Sequence, residues 1–148
     1  MRTSSSPLVL LGFVASGCAS SSGLPPPSDG VALRNTDDVR VVFQASDDDW
    51  RSGVSRAAFS VDKVQRVYER RGVPRDALHF VVVYHGEAGY HLLNDAAYAA
   101  YDGEREREGE TNPNAELVRT LTERGVRVEL CRSTMEQRGW SESDLLPE

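Results

Sequence analysis

Beyond residue 38 the chain alternates short apolar runs with longer stretches in which apolar residues recur every three or four positions. "VRVVFQ" (Val39–Gln44) is a β-branched run closed by the polar, turn-prone "ASDDD", which predicts a strand. From Val54 to Arg71, the residues Val54, Ala58, Val61, Val64 and Tyr68 fall on one face of an amphipathic helix. Gly72 is placed to cap that helix, with Pro74 just beyond. "LHFVVVYHG" (Leu78–Gly86) is the most continuous apolar run after the N-terminal segment, the pattern of a strand buried on both faces. A second helix is predicted over Tyr90–Tyr101, followed by the charged loop "EREREGE" (Glu104–Glu110). Asn112 then caps a third helix whose first residue is Pro113, with Leu117, Val118 and Leu121 inward and Gly125 closing it. "VRVELC" (Val126–Cys131) predicts a third strand, and Ser133–Arg138 opens another helix.

Strands alternating with helices predict an α/β layer fold with a parallel sheet. Right-handed crossovers are expected to place helices on both of its faces. Functional groups in such sheets gather at the carboxyl ends of strands, beside helix N-termini. Cys131 and the His85–Gly86 turn stand at two such ends. In the third strand Val126, Val128 and Leu130 point one way, while Arg127, Glu129 and Cys131 point the other. Cys131 therefore shares the polar face. A thiol that opens a helix meets unsatisfied N–H groups, which favour the thiolate, and Arg132 adjoins it. The competing reading is a buried, inert cysteine. His85 is placed either to bind a ligand or steady the thiolate, or merely to satisfy a turn.

The N-terminal "MRTSSSPLVLLGFVASGCASSS" changes the picture of where such a domain works. One basic residue, Arg2, precedes an apolar run too short to span a bilayer, the pattern of a secretory signal. Small residues directly before Cys18 resemble the lipobox of bacterial lipoproteins, with Ala15 where leucine is commonest. The expected organisation is a signal peptide over residues 1–18, with Cys18 as the lipid attachment site, and a Ser/Pro tether over 19–37. The folded domain then spans 38–148. This predicts an exported, membrane-anchored lipoprotein facing the periplasm or cell exterior. With Cys18 acylated, Cys131 is left without a disulfide partner.

The net charge of −6 argues against binding nucleic acid or anionic lipid through bulk charge, so no nucleic-acid partner is expected. Asp47, Asp48 and Asp49 have the charge to attract a cation but read as a solvated turn. His79, His85, His91 and one free cysteine form no zinc pattern. No Gly-rich phosphate loop or Ser-His-Asp order stands out, and no cofactor or metal is expected.

"VVVYHGEAGYHLLNDAAY", "NPNAELVRTLTERGVRVELC" and "DLLPE" together resemble the DsrE/DsrF family. They give a strand ending in His-Gly, an Asn-Pro-Asn helix start, a strand ending in cysteine and an Asp-Leu-Leu-Pro segment. The resemblance implies a three-layer α/β/α sandwich with a parallel sheet of flavodoxin-like appearance, and assembly into trimers or hexamers. It also implies a sulfur relay through a cysteine persulfide, with Cys131 as the matching cysteine. Arg132 and Ser133 depart from the Gly-Gln common after that cysteine. The family continues past Leu-Leu-Pro with another strand and a helix, so a sheet of about three strands with an uncovered edge is expected. An oligomer partner covers that edge, or the sequence is a truncated product.

Two functions follow. The first is an exported sulfur carrier of sulfurtransferase type that uses a persulfide at Cys131, with His85, Gly86 and Arg132 as binding residues. A sulfur donor or acceptor protein would be its partner. The second is a noncatalytic, lipid-anchored binding or assembly module. A redox-sensing thiol is a third use of Cys131, without a visible resolving cysteine.

Overall fold

Valine-rich, period-two runs and amphipathic stretches fold as their patterns require, into strands and helices. The computed structural model describes residues 33–34, 36–103 and 109–147. Cys18, the signal and most of the tether lie outside the described residues. Strand β1 (Val39–Ala45) is followed by a small hairpin of β2 (Trp50–Arg51) and β3 (Val54–Ser55), and then by α1 (Arg56–Arg70). A 3-10 turn (Arg75–Ala77) leads into β4 (Leu78–Tyr84). A 3-10 segment (Gly86–Leu92), α2 (Asp95–Ala100) and α3 (Ala115–Glu123) come next. The chain closes with β5 (Arg127–Leu130), α4 (Arg132–Arg138) and a last 3-10 turn (Glu142–Asp144).

The main sheet is parallel, in the order β1-β4-β5. Its register runs from Val39 opposite Leu78 to Ala45 opposite Tyr84, and from Val81 opposite Arg127 to Tyr84 opposite Leu130. Both crossovers step in the same direction across the sheet, and two right-handed connections of that kind put their helices on the same face. The side chains agree with this geometry. On α1, Gln65 donates its amide N–H to the carbonyl of Arg124, at the end of α3. The Arg124 guanidinium reaches back to Asp62 and Glu69 of α1. Beneath these helices Val39, Ala45, Leu78, Phe80, Val82 and Tyr84 are buried, with Phe43, Val128 and Leu130 packed against them.

The α/β class and the parallel three-stranded sheet are as expected. Of the three expected layers, the described residues supply the sheet and the α1/α3 layer. The opposite face carries Arg40, Val42, Gln44, His79, Arg127 and Glu129, all exposed, with Val42 at 72 %. Two boundaries also differ from the pattern. Val54 and Ser55 pair with Trp50 and Arg51 through a left-handed turn at Ser52 and Gly53, so the first helix starts at Arg56. The expected helix over Tyr90–Tyr101 shortens to α2, because Leu93 bridges Leu145 and Asn94 caps the helix by accepting from the Ala97 N–H. The bridge gives the Asp-Leu-Leu-Pro segment its place: Asn94 donates to the Asp144 carbonyl, and Leu146 donates to that of Leu92.

Candidate functional site at the carboxyl edge of the sheet

The strand carrying Cys131 runs one ladder bond beyond its last regular residue. The Cys131 N–H donates to the Tyr84 carbonyl at 2.8 Å, so Cys131 stands beside His85 in the parallel register. The backbone then turns into α4 with Cys131 as its N-cap, its carbonyl accepting from Thr134 at 3.0 Å and Met135 at 3.1 Å. Backbone N–H groups of Thr134 and Ser133, assisted by their hydroxyls, hold the Cys131 thiol below its ordinary pKa, against a smaller opposing effect of burial. The thiol is half-buried and unpaired. Gly139, in the left-handed conformation, ends the helix.

The turn after β4 is tied to both neighbouring strand ends. His85 donates its N–H to the Ala45 carbonyl, and Glu87 and Ala88 donate theirs to the Ser46 carbonyl. Gly86 donates to the Thr134 hydroxyl at 3.0 Å, which joins this turn to α4. Its φ of 59° lies in the left-handed region, and a Cβ there would stand 3.3 Å from the Ser46 carbonyl oxygen. Glycine is the residue that meets both demands. His85 is extended, and its Nε2 lies 2.6 Å from the amide nitrogen of Gln44 on β1. Gln44, His85 and Cys131 thus gather on the open face near the three strand ends, with Gln44 in register with Val83 and reached diagonally by the His85 ring.

Three of the residues expected from sequence come together here: Cys131, His85 and Gly86. Arg132 is exposed on the first turn of α4, and the lowering of the thiol pKa comes from N–H groups rather than from its charge. Arg138 turns elsewhere and stacks over the Tyr101 ring at 5.9 Å. Gln44 and Thr134 were not legible as site residues, because a polar residue at a strand end or in a helix carries no mark of its distant partner. Asp48 carried a misleading mark. It is largely buried, and its Oδ1 accepts from Trp50 Nε1 at 2.7 Å, the Tyr90 hydroxyl at 2.6 Å and His91 Nε2 at 2.9 Å. The aspartate run therefore builds a core contact as well as a turn. Among the described residues no group of three or more histidine, cysteine, aspartate or glutamate side chains is placed to hold a metal ion. No helix among them is long and apolar enough to cross a membrane.

A family model described as the DsrE/DsrF-like family matches residues 38–148, three quarters of the chain. Nothing among curated proteins or solved structures matches it.

Proposed function

We propose that this chain, which belongs to the DsrE/DsrF-like family and so to a sulfur-relay related group of proteins, is a sulfur carrier that holds its cargo as a persulfide on Cys131. The observation that carries this reading is the thiol at a strand's carboxyl end, with its pKa lowered by the N–H groups of Thr134 and Ser133. A thiolate is the attacking species in thiol exchange. The Cys131 thiolate attacks the outer sulfur of a donor persulfide, R–S–SH. A new S–S bond forms at Cys131, the donor's S–S bond breaks, and R–S⁻ leaves. The step is an exchange with no net oxidation, and it needs no cofactor. Delivery repeats it with an acceptor thiolate attacking the outer sulfur now held on Cys131. The donor and acceptor are thiol-bearing proteins or small thiols. In this reading Cys18 is acylated and holds the domain at a membrane surface outside the cytoplasm, because small residues precede it after a short apolar run.

A second reading is a binding or assembly module, and the open sheet face with exposed Val42 favours it. Homo-oligomer formation through that face, or along the edge of β5, belongs to this reading. Mass spectrometry of the native chain after incubation with a small-molecule persulfide separates the two. The carrier gains one sulfur atom on Cys131 and the Cys131→Ser variant gains none. An unmodified wild-type chain, or labelling that needs denaturant, leaves the binding module in its place.

A further inference from the structure

The group of residues near the three strand ends contains one member that sulfur exchange as written does not use, Gln44 on β1. Its amide nitrogen lies 2.6 Å from His85 Nε2. An amide N–H can only donate, so this contact is a hydrogen bond where Nε2 accepts, the arrangement that puts the ring proton on Nδ1. The two nitrogens of an imidazole point roughly away from each other. With Nε2 turned to β1, ring geometry turns Nδ1 away from β1, and β5 is the strand on that far side of β4. The register partner of His85 on that side is Cys131, since the Cys131 N–H bonds the Tyr84 carbonyl in a parallel ladder. Both residues have extended backbones, His85 at φ −155° and ψ 171° and Cys131 at φ −60° and ψ 125°. Their side chains therefore continue the alternation of their strands onto the face that carries Gln44, Val83 and Glu129. Neighbouring strands lie about 4.8 Å apart, a gap that an imidazole spans.

We propose that Gln44 is a positioning residue that locks neutral His85 in its Nδ1–H tautomer, so that this N–H donates to the sulfur anion on Cys131. The anion is the thiolate before transfer and the perthiolate after it. The inference rests on the sulfur-carrier reading and extends it to the control of sulfur's charge. No proton is transferred to the ring: the thiol proton leaves to solvent, and His85 supplies a hydrogen bond only. A histidine without such a partner favours the Nε2–H tautomer, which would withdraw the donor from the sulfur. The amide of Gln44 is the group that prevents this.

Gln44→Glu tests the idea on the full chain, because a carboxylate accepts where the amide donates and so calls for a proton on Nε2. Gln44→Met, of similar length and without the amide, is the second variant. Long-range ¹H–¹⁵N spectra read the tautomer directly. Wild-type His85 is expected with its proton on Nδ1, and Gln44→Glu with a proton on Nε2. The alkylation rate of Cys131 at neutral pH is expected to fall about tenfold in Gln44→Met, the loss of one hydrogen bond to a charged acceptor. An Nε2–H tautomer in the wild type overturns the proposal, and so does an unchanged alkylation rate in Gln44→Met. If wild-type Cys131 takes up no sulfur, the carrier reading fails, yet the tautomer and the alkylation rate still decide the role of Gln44.

Discussion

His85 caps a short 3-10 segment and His91 lies in its last turn, and the fold treats them in opposite ways. His91 is 1 % exposed, and its ring lies 4.7 Å from that of Trp50 and 4.6 Å from that of Tyr90. Its Nε2–H donates to the Asp48 carboxylate, and its Nδ1 is buried without a hydrogen-bond partner. Burial holds its pKa down, against the pull of Asp48 and Asp49. His85 is half-buried at the open face and meets an amide instead of a carboxylate. A ring sealed among aromatic side chains and locked to a carboxylate holds the fold together. Under the tautomer proposed above, a ring held from one side by an amide keeps its other nitrogen for the sulfur. Residue type does not separate the two roles. Burial and partner do.

The contrast breaks most visibly at Asp48. Its removal takes the shared acceptor from the Tyr90 hydroxyl and His91 Nε2, and leaves Trp50 Nε1 only its longer contact to the Tyr90 hydroxyl at 3.3 Å among the described hydrogen bonds. Asp48→Ala is expected to cost about 3–5 kcal/mol in chemical denaturation, as for other buried networks that lose their shared acceptor. The exposed neighbour variant Asp47→Ala should stay within about 0.5 kcal/mol. Equal costs would mean that the aspartates act together as a turn.

A smaller effect follows pH. Burial depresses the pKa of folded His91 below the ordinary 6.5, so the unfolded chain takes up a proton that the folded one resists. This contribution to stability is complete above pH 6.5 and is lost as pH falls from there through the folded pKa. Denaturation midpoints should therefore drop on acidification across that window, and the slope should flatten in His91→Gln. The smallest effect belongs to the other histidine. His85→Ala removes one hydrogen bond at a half-buried site, so a stability change within about 0.5 kcal/mol is expected. A loss as large as that of Asp48→Ala would make His85 a second structural histidine and erase the distinction.

The local periods of the chain carried the strands and the long helix, because period two and period 3.6 are properties of neighbouring residues. The polar-face parity of Cys131 was legible for the same reason. What stayed hidden depends on partners far along the chain. Asn112 reads as a helix cap, yet its amide donates to the carbonyls of His91 and Leu93, and its oxygen accepts from the Asn114 backbone and side chain. Asn114 in turn accepts from the Ser55 N–H, and the helix begins only at Ala115. The placement of α1 and α3 on a single face was equally invisible, since it follows from strand order and not from any helix's own pattern.

Sequential strand order has a kinetic consequence. β1, α1 and β4 form a right-handed unit from contacts within one stretch of chain, and β5 joins last along the sequence, across the longer connection through α2 and α3. Closing that connection costs entropy before its contacts repay it, which places the docking of β5 among the later events of folding. The bond from the Cys131 N–H to Tyr84 marks the end of that docking. Until it forms, the thiol lacks both the turn of α4 and its neighbour on β4. Its reactivity then becomes a clock for the final step: in refolding, the low-pKa thiol appears with the last strand, after the first βαβ unit has closed.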